Sequence, residues 1–383
     1  MEPTDDKGSA GWRLEALDPP SEERTREIAS FLRGQHQPPE GYPHERDAFF
    51  HWKLRWNVRH PGFASAMVAN DTDRIVSLCT VTPKRFWAFG EERDWGEIGD
   101  TFTDAAYQRR GMFSALVNAS RGRAQAAGFS VIYGLPNERS GPGYTGKLNF
   151  PIKADAGHVN VTLPLSSRAV ATRLDALRER PWAPLARAAL EHPTTAAASR
   201  ALAWTLLRRP SPANVTVREE SAFGSDYDEL WRSVRPALAV AQVRDARYLT
   251  WRFRESPFPF RVYAARHRNG VLAGYVATLT GRDDHQTGLR RLFIADWLLA
   301  PADANTVGRA LLQAALRPAL DEGVDIVTTQ AVHNGPAQLP WRRYGFMQRP
   351  WSKPVIIHRN EAGARLLDDP SPWHFTLADT DAF

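Results

Sequence analysis

Apolar and polar positions alternate over several short stretches of this chain and take helical spacing over others, and the two patterns follow each other in the same order twice. In the first half, strands are predicted over Trp12–Leu17, Phe63–Ala69, 75–82 and 95–103, helices over 21–33 and 111–127, and a buried strand over 130–134. In the second half, strands are predicted over 215–218, 261–266, 271–280 and 290–299, helices over Ser225–Val234 and 307–321, and a buried strand over 324–329. Ser21 before Glu22 and Glu23, and Ser225 before Asp226 and Asp228, supply helix-start chemistry. Gly128 and Gly323 stand where C-terminal caps are expected. Strands followed by a helix and a further strand predict an α/β fold with a mixed sheet.

The two halves also match residue by residue. Phe49-Phe50-His51-Trp52-Lys53 resembles Tyr248-Leu249-Thr250-Trp251-Arg252, Asp100 pairs with Asp296, Gly111 with Gly308, Asn137 with Asn334, and Lys147-Leu148-Asn149-Phe150 with Arg343-Tyr344-Gly345-Phe346. Five matches in one order, at offsets between 196 and 199 residues, predict a tandem duplication. The expected organisation is an N-terminal domain over 1–165, a helical linker over 166–213, a C-terminal domain over 214–360 and an acidic, irregular tail over 361–383. The linker is rich in Ala, Leu and Arg, is broken by Pro181, Pro184 and Pro193, and is expected to form two or three helices that clamp the halves together.

Composition narrows the function classes. The chain has 383 residues, with 49 basic against 43 acidic side chains, a balance of +6 that suits polyanionic small molecules. No run of five or six like charges marks a nucleic-acid-binding tail. Cys79 is the only cysteine, which excludes an internal disulfide and fits a reducing compartment. No secretory signal opens the chain and no stretch approaches 18 apolar residues, so the expectation is a cytoplasmic protein. His44, His51 and His60 lack the spacing of metal ligands, and no metal is expected.

The segment that carries chemistry runs from Trp95 to Ser114 as a strand, a loop and a helix start, with Gln108-Arg109-Arg110-Gly111 at the junction. A helix start offers unpaired N–H groups to a pyrophosphate, Gly111 lets the backbone approach it, and Arg109 and Arg110 add charge-assisted hydrogen bonds. Here the chain resembles the GCN5-related N-acetyltransferase (GNAT) family, whose pyrophosphate loop reads Gln/Arg-x-x-Gly-x-Gly/Ala. Gln108-Arg109-Arg110-Gly111-Met112-Phe113 departs from it at Phe113, which replaces a small residue. The later run Gly134-Leu-Pro-Asn137 to Tyr144 and Asn149-Phe150 is similar to that family's Asn…Tyr…Gly-Phe signature, with Asn149 in place of Gly.

The resemblance implies tandem GNAT-like domains that use acetyl-CoA or another acyl-CoA. It implies a pyrophosphate site at Gln108, Arg109, Arg110, Gly111, Met112, Phe113 and Ser114. Backbone contacts to pantetheine would come from Phe102 and Thr103, with support from Asn137 and Ser140. Glu97, on the strand leading to the loop, is the first candidate for the base that accepts the amine's proton. Asp100 is the second; simple alternation places it on the opposite face from Glu97 unless a bulge intervenes. Tyr144, seven residues after Asn137, would give its proton to the leaving thiolate or pack the cleft.

In the second half the paired arginines before Gly308 are missing, Asp303 brings negative charge, and Trp341 stands seven residues after Asn334 without a hydroxyl. That half is expected to keep the fold, lose coenzyme binding and help to frame the acceptor site; His333 is a weaker candidate there. Among tandem members, the segment from Ile98 to Ser114 looks most like the acyltransferases of nucleotide-linked amino sugars. The expected activity is therefore transfer of an acyl group from coenzyme A to a primary amine of a small metabolite, by a monomer or small homo-oligomer. An aminoacyl-tRNA-dependent transferase and a non-catalytic acyl-CoA-binding module are the alternatives, steep salt dependence marking the first and binding without turnover the second.

Overall fold

The computed structural model describes residues 11–35, 47–172, 174, 179–207, 214–281, 288–332, 338–371 and 373–380. The chain begins with β1 (Trp12–Leu17), α1 (Glu22–Gln35) and a short α2 (Asp47–Phe50) that continues into a π-helical turn, His51–Arg55. Strands β2 (Phe63–Ala69), β3 (Ile75–Ala88) and β4 (Glu91–Thr103) lead to α3 (Met112–Ala126), β5 (Val131–Gly134) and β6 (Ile152–Pro164). Helices α4 (Ser167–Ala171), α5 (Ala183–Glu191) and α6 (Pro193–Leu207) follow, then β7 (Val215–Glu220), α7 (Ser225–Val234), β8 (Val240–Gln242) and α8 (Ala246–Phe253). The run β9 (Arg261–His267), β10 (Leu272–Gly281), β11 (Arg291–Leu299), α9 (Ala304–Asp321) and β12 (Ile326–Val332) precedes β13 (Met347–Ile357), α10 (Glu361–Asp368) and β14 (Trp373–His374). The class is mixed α/β, as the strand and helix patterns predict.

Packing divides the chain into two compact units. The first comprises residues 1–85, 93–153 and Val355–Asp369. Its sheet runs β1-β2-β3-β4-β5 and then the end of β13, where Ile356 and Ile357 pair antiparallel with Gly134 and Tyr133. β4 and β5 are parallel and joined across one face by α3. Met112, Leu116 and Val117 of α3 bury against Phe63, Cys79, Val81, Ile98, Phe129 and Ile132, a core that excludes water from that face.

The second unit comprises residues 86–92, 154–354 and 370–383. Its sheet runs β6-β12-β11-β10-β9-β7, with β11 and β12 parallel and connected by α9. Leu311, Leu312 and Leu316 of α9 pack on Val276, Ile294 and Trp297 of the sheet. The three linker helices belong to this unit, and α6 lays Ala203 and Trp204 against its core.

Three differences from the expected elements have physical causes. β3 runs past Thr82 and through Pro83 because its pairing with β2 ends at Val81 and its pairing with β8 begins at Phe86, so the missing N–H of Pro83 interrupts no ladder there. α9 begins at Ala304, before Val307, which places Gly308 inside the helix, where an added Cβ would lie 2.9 Å from Pro340. The tail is not irregular: it forms α10, capped by Asn360, and β14, and buries Trp373, Phe375 and Leu377. Its charge masked an apolar set large enough to order it. His44, His333 and Asn334 lie outside the described residues.

Candidate active site: an open strand end and a free helix start

β4 pairs with β5 only at Trp95↔Val131, Gly96↔Ile132 and Glu97↔Tyr133. β5 stops at Gly134, while β4 continues to Thr103. The end of β4 therefore extends beyond its parallel neighbour and presents backbone polar groups along that edge. On its other side, Ser77 Oγ donates to the Phe102 carbonyl at 2.9 Å and lies 2.7 Å from Thr103 Oγ1, which fixes the strand end in place. Gln108 is exposed, and its Nε2 donates to the Thr103 carbonyl at 3.2 Å and ties the loop to the strand.

Beyond Gln108 the backbone turns through Arg109 at φ +63° and Gly111 at φ +81°, both left-handed. Only glycine takes that conformation without strain, so the helix cap needs Gly111 for its backbone rather than for lack of bulk. Gly111 precedes Met112 without a side-chain cap. The first amide bonded into the helix is that of Ala115, to the Gly111 carbonyl at 3.2 Å. Among the described residues, the N–H groups of residues 109–114 meet no acceptor. Alternating left-handed turns with free N–H groups at a helix start form a concave anion site, reinforced by the helix dipole.

The flanking side chains divide by role. Arg109 is exposed. Arg110 is held back: its guanidinium stacks over Trp12 and Tyr107 at 5.5 and 5.3 Å and donates to the Ala106 carbonyl. Met112 is buried in the core, and Ser114 is half-buried on the first turn. Phe113 packs edge-on against Tyr144 at 5.1 Å and lies so close to Gly143 that an added Cβ would sit 2.6 Å from its ring. The residue that departs from the family pattern is thereby accommodated by a glycine on the facing loop.

Asn137 and Ser140 form one loop. Asn137 Oδ1 accepts from the amides of Arg139 and Ser140 at 3.0 and 2.9 Å and from Ser140 Oγ at 3.2 Å. The carbonyl of Asn137 is thus committed to the turn, which leaves its Nδ2 to reach outward. Tyr144 is buried in a π-helical turn, and its hydroxyl lies 2.7 Å from Thr101 Oγ1. Thr101 Oγ1 also approaches Cys79 Sγ at 3.5 Å. Burial pushes the Tyr144 phenol well above its ordinary range and the Cys79 thiol up to about 11.

The two carboxylates share a face, contrary to simple alternation. Asp100 has φ +44°, a break in the strand's regular geometry between them. Asp100 Oδ2 accepts from Lys53 Nζ at 2.7 Å and from Thr80 Oγ1 at 2.8 Å, and Glu97 Oε2 lies 3.1 Å from Lys84 Nζ. Thr80 and Lys84 are four residues apart on β3 and point the same way, so both acids do too. The Glu97 side chain is only 8% exposed, whereas that of Asp100 is 23% exposed on the open part of β4. Tyr144 lies on the opposite face, with Cys79.

Lys53, Lys84, Thr80, Ser77 and Thr101 are the residues that sequence reasoning missed. Lys53 closes the repeated Phe-Phe-His-Trp-Lys segment and could have been noticed there. Lys84 follows Thr80 and Thr82 in alternation, but Pro83 hid the strand that carries it. Among the described residues, no group of three His, Cys, Asp or Glu side chains could hold a metal ion, and no helix is long and apolar enough to cross a membrane.

The sequence model of the Acetyltransferase (GNAT) domain family matches residues 30–152, which include the loop and both carboxylates. No curated protein sequence matches the chain. A probable N-acyltransferase from Enterococcus faecalis V583 is similar in structure, with a TM-score of 0.57, 13% identity and coverage of 91% of this chain and 72% of that one. Saccharomyces cerevisiae N-myristoyltransferase with bound myristoyl-CoA is similar with a TM-score of 0.58, 11% identity and coverage of 91% and 78%. At such identities the shared property is the fold. The chain carries a GNAT acetyltransferase domain over residues 30–152, and with it the chain is an acyltransferase.

Proposed function

We propose that this chain is an acyl-CoA-dependent N-acyltransferase acting on a primary amine of a small metabolite, a nucleotide-linked amino sugar being the first class to test. We also propose that it arose by tandem duplication of a GNAT-like domain. The observation that carries the coenzyme reading is the row of acceptor-free amides at residues 109–114, set beside the open end of β4. A diphosphate fits the first feature and the amides of a pantetheine arm fit the second, along the edge that β4 opens beyond its last pair with β5 at Glu97.

In the reaction, the amine nitrogen attacks the thioester carbon; a C–N bond forms, the C–S bond breaks, the nitrogen loses a proton and the sulfur gains one. Asp100 is preferred over Glu97 as proton acceptor because it stands where β4 is open, while Glu97 is shut into the paired segment beside Lys84. Tyr144 serves as a hydrogen-bond donor toward sulfur rather than as a strong acid, since its burial favours the protonated phenol. The yeast neighbour holds myristoyl-CoA, so the donor panel should run from short to long acyl chains.

The test is to incubate the full chain with that donor panel and a panel of amines, among them amino-sugar nucleotides, and to detect the amide by mass spectrometry. Amide formation on a small amine is the expected result. Donor binding with no product across the panel would favour the non-catalytic module, and no binding of any donor would end the coenzyme reading.

A further inference from the structure

We infer that residues 373–380 are the resident occupant of a second strand gap, in the second unit, and that the chain takes one acyl-CoA rather than two. The count of one rests on the coenzyme reading above; the occupancy does not. β11 and β12 pair in parallel at Arg291↔Ile326, Leu292↔Val327 and Phe293↔Thr328 and then separate, as β4 and β5 do after three pairs. β11 also carries a bulge: Ala277 faces Asp296 while Thr278 faces Ile294, which leaves Ala295 over just before Asp296.

Here the space between the parting strands is filled. Thr376 bridges to Ala331 of β12, and the His374 ring nitrogen Nε2 bonds the Trp297 carbonyl of β11 at 2.9 Å. β14 adds a parallel pairing to β8, Trp373↔Val240 and His374↔Ala241. Thr376 Oγ1 donates to Asp296 Oδ1 at 2.8 Å. Asp296, the counterpart of Asp100, is further held by Tyr275 at 2.6 Å and by Arg244 at 2.9 Å, and Arg244 reaches Asp379 of the same segment at 2.8 Å. From α8, Tyr248 and Arg252 donate to the Ala378 carbonyl at 3.1 and 3.2 Å. The segment is buried, so the strand edges a pantetheine arm would need and the acid a substrate would need are both already engaged.

Two measurements on the full chain test this. In hydrogen exchange, the amides of residues 376, 379 and 380 are expected to exchange on the order of a thousandfold more slowly than in an unstructured peptide; exchange at the unstructured rate overturns the inference. In equilibrium titration with coenzyme A, one equivalent should bind and be lost in the Arg109→Ala/Arg110→Ala variant. Two equivalents, or one that survives in the double variant, overturns the inference. No binding together with a protected segment removes the donor assignment of the first unit and leaves the occupancy standing.

Discussion

Lys53 Nζ lies 2.7 Å from Asp100 Oδ2, the oxygen that also accepts from Thr80. The lysine side chain is 2% exposed and the aspartate 23%, so the pair is closed on one side and open on the other. Removing a partner from a buried pair strands the remaining charge, a cost reduced here by the aspartate's exposure. Lys53→Met should cost about 1–3 kcal/mol in urea unfolding, and combining it with Asp100→Asn should cost less than the sum of the single changes by about 1 kcal/mol. Additive costs would show that the two groups are not coupled.

Arg109 and Arg110 should separate kinetically. Arg109 takes a left-handed backbone that glycine adopts freely, so Arg109→Gly should hold or raise stability, by about 0.5–1 kcal/mol, while raising KM for acyl-CoA about tenfold. Arg110→Ala removes the stack on Trp12 and Tyr107 and should lower stability by about 1 kcal/mol. Thermal melts alongside kinetics read both effects; an unchanged KM in the double variant would remove the pyrophosphate site.

Tyr144→Phe keeps the ring packed on Phe113 and Phe150 and removes only the hydroxyl at Thr101. Its expected signature is a kcat lower by about a hundredfold, with KM for acyl-CoA within about twofold of wild type. Full activity would make Tyr144 a packing residue.

Cys79 and Tyr144 set an alkaline limit. Burial raises both groups, so the folded state binds more protons than the unfolded chain once pH passes the ordinary thiol range. The contribution of Cys79 is intact below about pH 9 and is lost as pH rises through about 11, a total loss of about 3 kcal/mol. Cys79→Ala should flatten the fall in stability between those values, as measured by denaturant titration at stepped pH. An unchanged slope would place the alkaline loss elsewhere.

Gly143→Ala should destabilise by about 1–3 kcal/mol, because the new methyl would meet the Phe113 ring. Phe113→Leu should recover most of that loss if the clash is its cause. No recovery would locate the strain in the π-helical turn instead.

Much of this fold could be read before any coordinates, because amphipathic segments announce themselves by period. β1 and β2 begin and end where alternation places them, and Gly128 and Gly323 take the left-handed backbone of helix caps. The loop at Gln108–Gly111 was legible for a similar reason: a helix start writes its needs in glycine and in residue order. The carboxylates were harder. That Glu97 and Asp100 share a face depends on one left-handed residue inside a strand, and nothing in an aspartate's identity declares it. Lys84 was invisible because lysine is expected at the surface and only tertiary packing turns it inward, while for Lys53 the repeated segment was the one available signal. The tail misled through its acidic residues, since Asp379 faces Arg244 rather than solvent.

The first unit is completed by residues 355–369, whose Ile356 pairs with Gly134 and whose Asn360 donates to the Ser130 carbonyl at 2.8 Å. Its strand β5 thus borders a segment synthesised more than two hundred residues later. On the ribosome, the nascent domain must wait with that flank of β5 bare until residues 355–369 have emerged, so its last strand pairing forms long after its first strands are made.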